Sequence, residues 1–437
     1  VPLLTIRPLD REILRLAVPA LGSLVAEPLF LLTDSALIGH LGTTPLAGLA
    51  IGAAVVQTIV GLMVFLAYST TPLVARAVGA GDTRAAVAAG IDGGWLALGL
   101  GAVLAVVGAV TAGPVVALFG PEADVGSAAV TYLGISMAGV PAMLGVFALT
   151  GLLRGLQDTR TPLVVTGVGF VANAGLNAVL IYPAGLGIAG SALGTVIAQW
   201  TMLLVYAVLT IRLARRHGAP IRPHPTGVLR SAGSGSWLLL RTASLRAAML
   251  LAVAVATGLG SAELGSFQIA MTLFSTVAFA LDAVAIAAQA LLGKHLGAGD
   301  PATARNVTNR CIRWGIGSGA VLGCAVTALS GFLPVIFTTD PVVKQILPPI
   351  IVIVGLTAPL GGYVFVLDGV LIGAGDGRYL ALSGLVNLAV FVPLALLAPR
   401  APEGLQLVAL WLAFAVGYLG ARALTLGLRA RSDVWLR

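Results

Sequence analysis

The sequence predicts an all-α polytopic membrane protein, with twelve transmembrane helices in two six-helix lobes related by pseudo-two-fold symmetry. Three observations carry that prediction. Hydrophobic residues make up 58% of the 437 residues and charged residues only 10%, where a soluble domain is about 25% charged. The apolar runs are long enough to cross a bilayer as helices, and they lack the short alternating segments of a membrane β-barrel. The chain also repeats itself at one fixed offset, the interval that carries Asp82 to Asp300.

In chain order, the runs place helices at 11–39, 46–77, 86–112, 125–150, 161–182, 188–214, 233–258, 263–294, 304–330, 343–370, 379–398 and 405–428. The first follows the N-terminal residues directly, so no cleavable leader is expected. It carries two acids, Glu27 and Asp34, and two prolines, Pro19 and Pro28. "LGTTPLAGLAIG" (41–52) opens the second helix and "VARAVGAGD" (74–82) closes it. Asp92 falls near the cytoplasmic end of the third, and "LRGLQDTR" (153–160) turns the chain from the fourth to the fifth. The fifth contains "NAGLN", with Asn173 and Asn177 four apart on one face. "RRHGAPIRPHPTG" (215–227) follows the sixth, and its Pro and Arg content suits a cytoplasmic linker.

The second set of six answers the first. "LGSAELGSFQIA" (259–270), "LGKHLGAGD" (292–300) and "LIGAGDGR" (371–378) each follow their counterparts at that one interval, as Phe337 follows Phe119 and Pro359 follows Pro141. The expected organisation is an N-lobe at 1–214, a linker at 215–227 and a C-lobe at 228–437. Six helices per unit make both halves enter the membrane in the same direction. Such parallel repeats enclose a central cleft and favour alternating access.

The formal charge of +8 does not indicate nucleic-acid binding, because the basic residues are sorted by side. Arg7, Arg76, Arg84, Arg160, Arg215, Arg216, Lys294, Arg378, Arg429 and Arg437 fall on or beside one face of the membrane, and only Lys344 and Arg400 on the other. This asymmetry predicts a multi-pass protein of the inner (plasma) membrane with both termini cytoplasmic. Cys311 and Cys324 lie 13 apart on one predicted helix, and with four scattered histidines they form no metal or redox motif. Without a Walker-type G-x-x-x-x-G-K-[ST] segment, direct ATP drive is disfavoured. No catalytic constellation is visible, so an enzyme is not expected.

"TDSALIGHLGTTPLAGLAIG", "VGAGD", "LRGLQDTRTP" and "LDAVAIAAQALLGKHLGAGD" resemble the multidrug and toxic compound extrusion family, most of all its DNA-damage-inducible F (DinF) branch. The resemblance extends over the whole chain. It implies a secondary antiporter that expels amphipathic, often cationic compounds, driven by a proton or sodium gradient and needing no cofactor. Lipid-linked sugar flippases of the wider superfamily are the nearest alternative, and sodium coupling the nearest alternative to proton coupling. The implied partners are small organic substrates and the lipid bilayer, and a monomer is expected.

A charge at the bilayer centre costs at least about 2.5–3.5 kcal/mol, so each intramembrane acid is a functional candidate by default. The family's helix-1 aspartate falls on Asp34, and its preceding proline on Pro19. The resemblance implies that Asp34 couples transport to protons, with Asn173 and Asn177 beside it. Some members carry Asp where this chain has Asn177, which concentrates the coupling on Asp34. Glu27 lies two turns earlier on the same face and is a candidate second proton stop or cation anchor, with pairing to a buried polar group an equal alternative. Pro19 and Pro28 remove backbone donors and are candidates for bending helix 1. In the C-lobe, Asp282, Gln289 and Asp368 are candidate cavity residues, and ion pairing of either acid with Arg241 or Arg246 is an equal alternative. Tyr68, Met202 and Tyr206 are candidate faces for cationic substrates.

Overall fold

The computed structural model describes residues 8–436 apart from the side chain of Glu27; Arg7, Arg437 and that side chain lie outside the described residues. Each apolar run forms helix, and among the described residues there is no strand. α1 (Pro8–Gly39) runs without a break through Pro19 and Pro28. α2 (Thr43–Met63) and α3 (Phe65–Gly79) form one span interrupted only at Val64, and α4 (Thr83–Ala117) follows.

The single helix expected at 125–150 is in fact two, α5 (Ala123–Met137) and α6 (Val140–Gly155), bent by 48°. Pro141, in the first turn of α6, supplies no amide to continue α5, although its counterpart Pro359 lies inside the unbroken α13. α7 (Arg160–Ile181), α8 (Gly187–His217), α9 (Pro225–Leu259), α10 (Ser261–Gly297) and α11 (Pro301–Ala328) come next. The short α12 (Leu333–Phe337) leads to α13 (Pro341–Gly373) and α14 (Gly377–Leu397). The last span combines α15 (Gln406–Leu412), a π-helical stretch (Ala413–Tyr418) and α16 (Leu419–Arg431). Among the described residues, eleven helical spans suffice to cross a membrane, or twelve with the bent pair counted as one. Val103, Val106 and Val110 on α4 and Val164, Val168 and Val171 on α7 are exposed at helical spacing, as lipid-facing stripes require.

The repeat is written into the backbone. Positive φ occurs at Gly42, Gly81 and Gln157 in the first half and at their counterparts Gly260, Gly299 and Gly375 in the second. Asp82 caps α4 by accepting from the amide of Ala85 at 2.8 Å, and Asp300 caps α11 through Thr303 at 2.9 Å. A Cβ on Gly101 would lie 2.5 Å from Pro141 Cα, and one on Gly319 would lie 2.9 Å from Pro359 Cα. Both halves thus use glycine at the same helix crossing.

Two compact units emerge: Gly22–Gly235, and the described residues up to Leu21 together with those from Ser236 onward. α1 and α9 therefore each run from one unit into the other. The start of α1 is fixed in its unit by Asp10, whose carboxylate accepts from Arg310 at 2.5 Å and from Trp314 at 2.8 Å. Much of the expected linker is helix: α8 continues to His217, Gly218 ends it at φ 66°, and α9 begins at Pro225. The residues between are held to α4, where Asp92 accepts from the His224 amide at 2.8 Å and Trp95 donates to the Ile221 carbonyl at 3.0 Å.

Candidate functional site

Asp34 lies near the end of α1 with only 3% of its surface exposed. Ser191 Oγ donates to its Oδ1 at 2.6 Å and Asn177 Nδ2 donates to the same oxygen at 2.9 Å. Asn177 also donates to Asn173 Oδ1 at 3.3 Å, and Asn173 donates to Thr195 Oγ1 at 3.1 Å. The buried phenol of Tyr132 on α5 adds a further neutral neighbour.

Helical spacing accounts for this convergence. Asn173 and Asn177 share one face of α7, and Ser191 and Thr195 share one face of α8. Glycines allow those helices to approach: a Cβ on Gly190 would lie 2.6 Å from the Leu180 carbonyl oxygen, and one on Gly194 would collide with Asn177 Oδ1. Asn177 Oδ1 itself is buried and has no hydrogen-bond partner. Asp34 makes no ion pair among the described residues, so its entire polar shell is neutral.

Asp34 borders open space. With Leu31, Ser35, Leu49, Ala53 and Gln57 it lines a cleft of about 620 Å³ between α1 and α2. A neighbouring cavity of about 570 Å³ shares Leu31, Ala53 and Gln57 and adds Phe30, Tyr132, Met143 and Gln199. Both volumes are counted out to their mouths. The combined wall is largely apolar, with two aromatic rings, two amide side chains, the hydroxyls of Ser35, Ser136 and Thr195, and one carboxylate.

The other unit is built differently. Asp368 on α13 is buried and paired with Arg241 on α9, whose Nε donates to Oδ1 at 3.1 Å, while Arg422 on α16 approaches the same oxygen at 3.3 Å. Of the two roles the sequence leaves open for this acid, it occupies the ion-paired one; Arg246 is exposed. Asp282 is half-buried and Gln289 buried, two turns apart on α10. Tyr68 is half-buried on α3. Met202 packs on Gly169, and Tyr206 is 1% exposed within a core of Leu149, Leu152 and Leu203, with its hydroxyl accepting from Thr150 at 3.0 Å. Tyr206 therefore sits in the packed interior of its unit and offers no open ring face. The structure thus joins Asp34, Asn173 and Asn177, and adds Ser191, Thr195, Tyr132, Gln57 and Gln199 to the site.

The MatE family profile matches residues 19–179 and 238–397, which covers both halves of the repeat. The chain belongs to this family, the multidrug and toxic compound extrusion transporters; it is an efflux transporter and not an enzyme. The DNA damage-inducible protein F of Escherichia coli strain K12 is 31% identical over 98% of this chain and 92% of its own. Protein DETOXIFICATION 45, chloroplastic, of Arabidopsis thaliana is 28% identical over 95% of this chain and 78% of its own. A crystal structure of a Vibrio cholerae MATE transporter superposes with a TM-score of 0.89 at 22% identity, covering 98% of each chain, which shows the common fold.

Proposed function

We propose that this transporter exports amphipathic, often cationic organic compounds in exchange for protons by alternating access, with Asp34 carrying the proton. One observation supports this most strongly: Asp34 is buried beside a cavity and held by neutral donors alone. A fixed guanidinium would keep a carboxylate charged throughout a cycle, as at Asp368. Neutral hydroxyl and amide donors permit both protonation states. Ser191 and Asn177 both donate to Oδ1, and the Tyr132 phenol is a third neutral partner. The aromatic and amide wall suits flat cations, which bind over rings and shed water against apolar surface.

Helix α1 supplies the moving part in this reading. Pro19 and Pro28 flank the point, Leu21 to Gly22, where α1 passes from one unit to the other. Each proline lacks an amide hydrogen, so bending there breaks fewer backbone bonds than elsewhere. Protonation of Asp34 then changes what α1 can hold on α7 and α8. The sorting of basic residues favours a plasma-membrane protein with both termini cytoplasmic.

Proton release tests this reading. Adding a cationic substrate to purified protein in weakly buffered detergent should liberate protons from the parent and none from Asp34→Asn. Equal release from both would remove Asp34 from the cycle. Asn177 Oδ1, an oxygen without a donor beside a carboxylate, favours a second reading in which sodium takes the proton's place. Substrate release evoked by sodium at constant pH would support it.

A further inference from the structure

A second buried polar cluster lies in the unit that follows Ser236, and the coupling scheme above makes no use of it. Arg241, Asp368, Asn387, Tyr418 and Arg422 line a small pocket of about 10 Å³, room for about one water-sized group, between α9, α13, α14 and α16. All five are at most 9% exposed. Their counterparts in the first half of the repeat are Ser23, Thr150, Gly169, Trp200 and Leu204, so the repeat does not impose the cluster.

The polar groups of this pocket are unequally matched. Two guanidinium groups face a single carboxylate, so the pocket carries a net positive charge. Ser244 and Ser383 also line the pocket, but each spends its hydroxyl proton on a backbone carbonyl of its own helix, at 2.7 and 3.2 Å. Asn387 Oδ1 lies 3.3 Å from the Thr425 hydroxyl, whose single proton also faces the Ala421 and Arg422 carbonyls at 3.0 and 3.1 Å. Tyr418 is 2% exposed, and its buried hydroxyl has no hydrogen-bond partner.

The backbone holds Tyr418 in place. It ends the π-helical stretch Ala413–Tyr418, a wide turn of a kind found disproportionately at functional sites. Arg422 follows four positions later on the same face. The Tyr418 ring is stacked on Phe414 at 5.7 Å and packed against Phe391 at 5.5 Å, so the hydroxyl is not free to swing out of the pocket.

A cation placed here would face two guanidinium groups. An anion would accept from the unpartnered Tyr418 hydroxyl and would offset the second positive charge. We infer that this pocket is a binding site for a small monovalent anion, of the size of chloride or a one-carbon carboxylate, held by Arg422, Tyr418 and Asn387 beside the Arg241–Asp368 pair. Room for about one water-sized group admits a single small ion and excludes large organic anions.

The test is thermal unfolding of the purified full-length protein in sodium chloride, sodium formate and sodium gluconate at equal ionic strength and pH. Sodium is constant throughout, and gluconate is too large for the pocket. An anion that binds only the folded state raises the unfolding temperature along a saturating curve. Chloride, formate or both are expected to do so relative to gluconate. Chloride alone would identify a halide site, and formate alone a carboxylate site. Tyr418→Phe, which removes one hydroxyl, and Arg422→Gln are each expected to weaken half-saturation at least tenfold. A nonspecific salt effect would act on parent and variants alike. Identical unfolding temperatures in all three salts, or an unchanged anion dependence in Tyr418→Phe, would overturn the inference.

Discussion

At the scale of single residues, the two membrane aspartates show how surroundings assign roles. Asp34 has hydroxyl and amide donors, whereas Asp368 has two guanidinium groups. Removing one partner of a buried ion pair strands a charge, at a cost of about 3–5 kcal/mol. Arg241→Met is therefore expected to destabilise the protein by about 3 kcal/mol, the lower end because Arg422 remains, as read by thermal unfolding. Gly194→Ala drives a methyl group into Asn177 Oδ1, so Asn177 must leave Asp34. Transport should fall at least tenfold in that variant while expression and monodispersity persist; unchanged transport would show that the Asn177 contact is dispensable. Asp34, Asn173 and Asn177 were legible in the sequence because ionisable and amide groups are conspicuous in apolar runs. Ser191 and Thr195 were not. Hydroxyls in these helices commonly satisfy themselves on the carbonyl one turn earlier, as Thr111, Thr201 and Thr276 do, and only tertiary packing reveals which ones do otherwise.

At the scale of elements, helix ends repeat with the sequence. Gly375 takes φ 74° after α13, and its counterpart Gln157 takes φ 67° after α6. A left-handed conformation costs a side-chain-bearing residue roughly 1–2 kcal/mol. Gly375→Ala should lower stability by about 1 kcal/mol, whereas Gln157→Gly should preserve or raise it, both measurable by thermal unfolding. At the start of α11, hydrogen bonds from the Thr303 side chain and backbone hold the Asp300 carboxyl below its usual range. A depressed carboxylate stabilises the fold above its unfolded pKa of about 3.8 and loses that effect as pH falls through the folded value. Asp300→Ala is accordingly expected to lower the unfolding temperature equally at pH 5 and pH 8. The apolar runs located the helices well because length and hydropathy set a membrane span. They missed the bend between α5 and α6, since a proline in an apolar run reads equally well as a tolerated kink or as a break. The linker proved shorter because Gly218 and Pro225 act as helix signals inside a polar stretch.

At the scale of the whole molecule, one duplicated scaffold carries two different polar clusters. The repeat aligns Asp34, Tyr132, Asn173, Asn177, Ser191 and Thr195 with Ala252, Ile350, Phe391, Ala395, Ala409 and Ala413. The first half thus keeps its polar cluster where the second half is packed with apolar groups, and the Arg241–Asp368 cluster stands where the first half has uncharged residues. The fixed offset made the architecture legible from sequence alone, because turns, caps and close helix crossings all repeat with it. Which polar groups meet across helices was not legible, because it depends on helix rotation and on glycine contacts. For a neutral substrate, each proton crossing a 100 mV potential supplies about 2.3 kcal/mol, enough for about a fifty-fold concentration ratio, whereas a 1:1 exchange with a monovalent cation moves no net charge and draws on the pH difference alone. Proton coupling in this molecule therefore stands or falls on Asp34. Its most direct test is uptake of a fluorescent organic cation into liposomes carrying the purified protein, under an imposed pH gradient or an imposed sodium gradient. The pH gradient alone should drive uptake by the parent, and Asp34→Asn should abolish it. Undiminished proton-driven uptake by Asp34→Asn, or uptake by the parent driven only by sodium, would contradict the account.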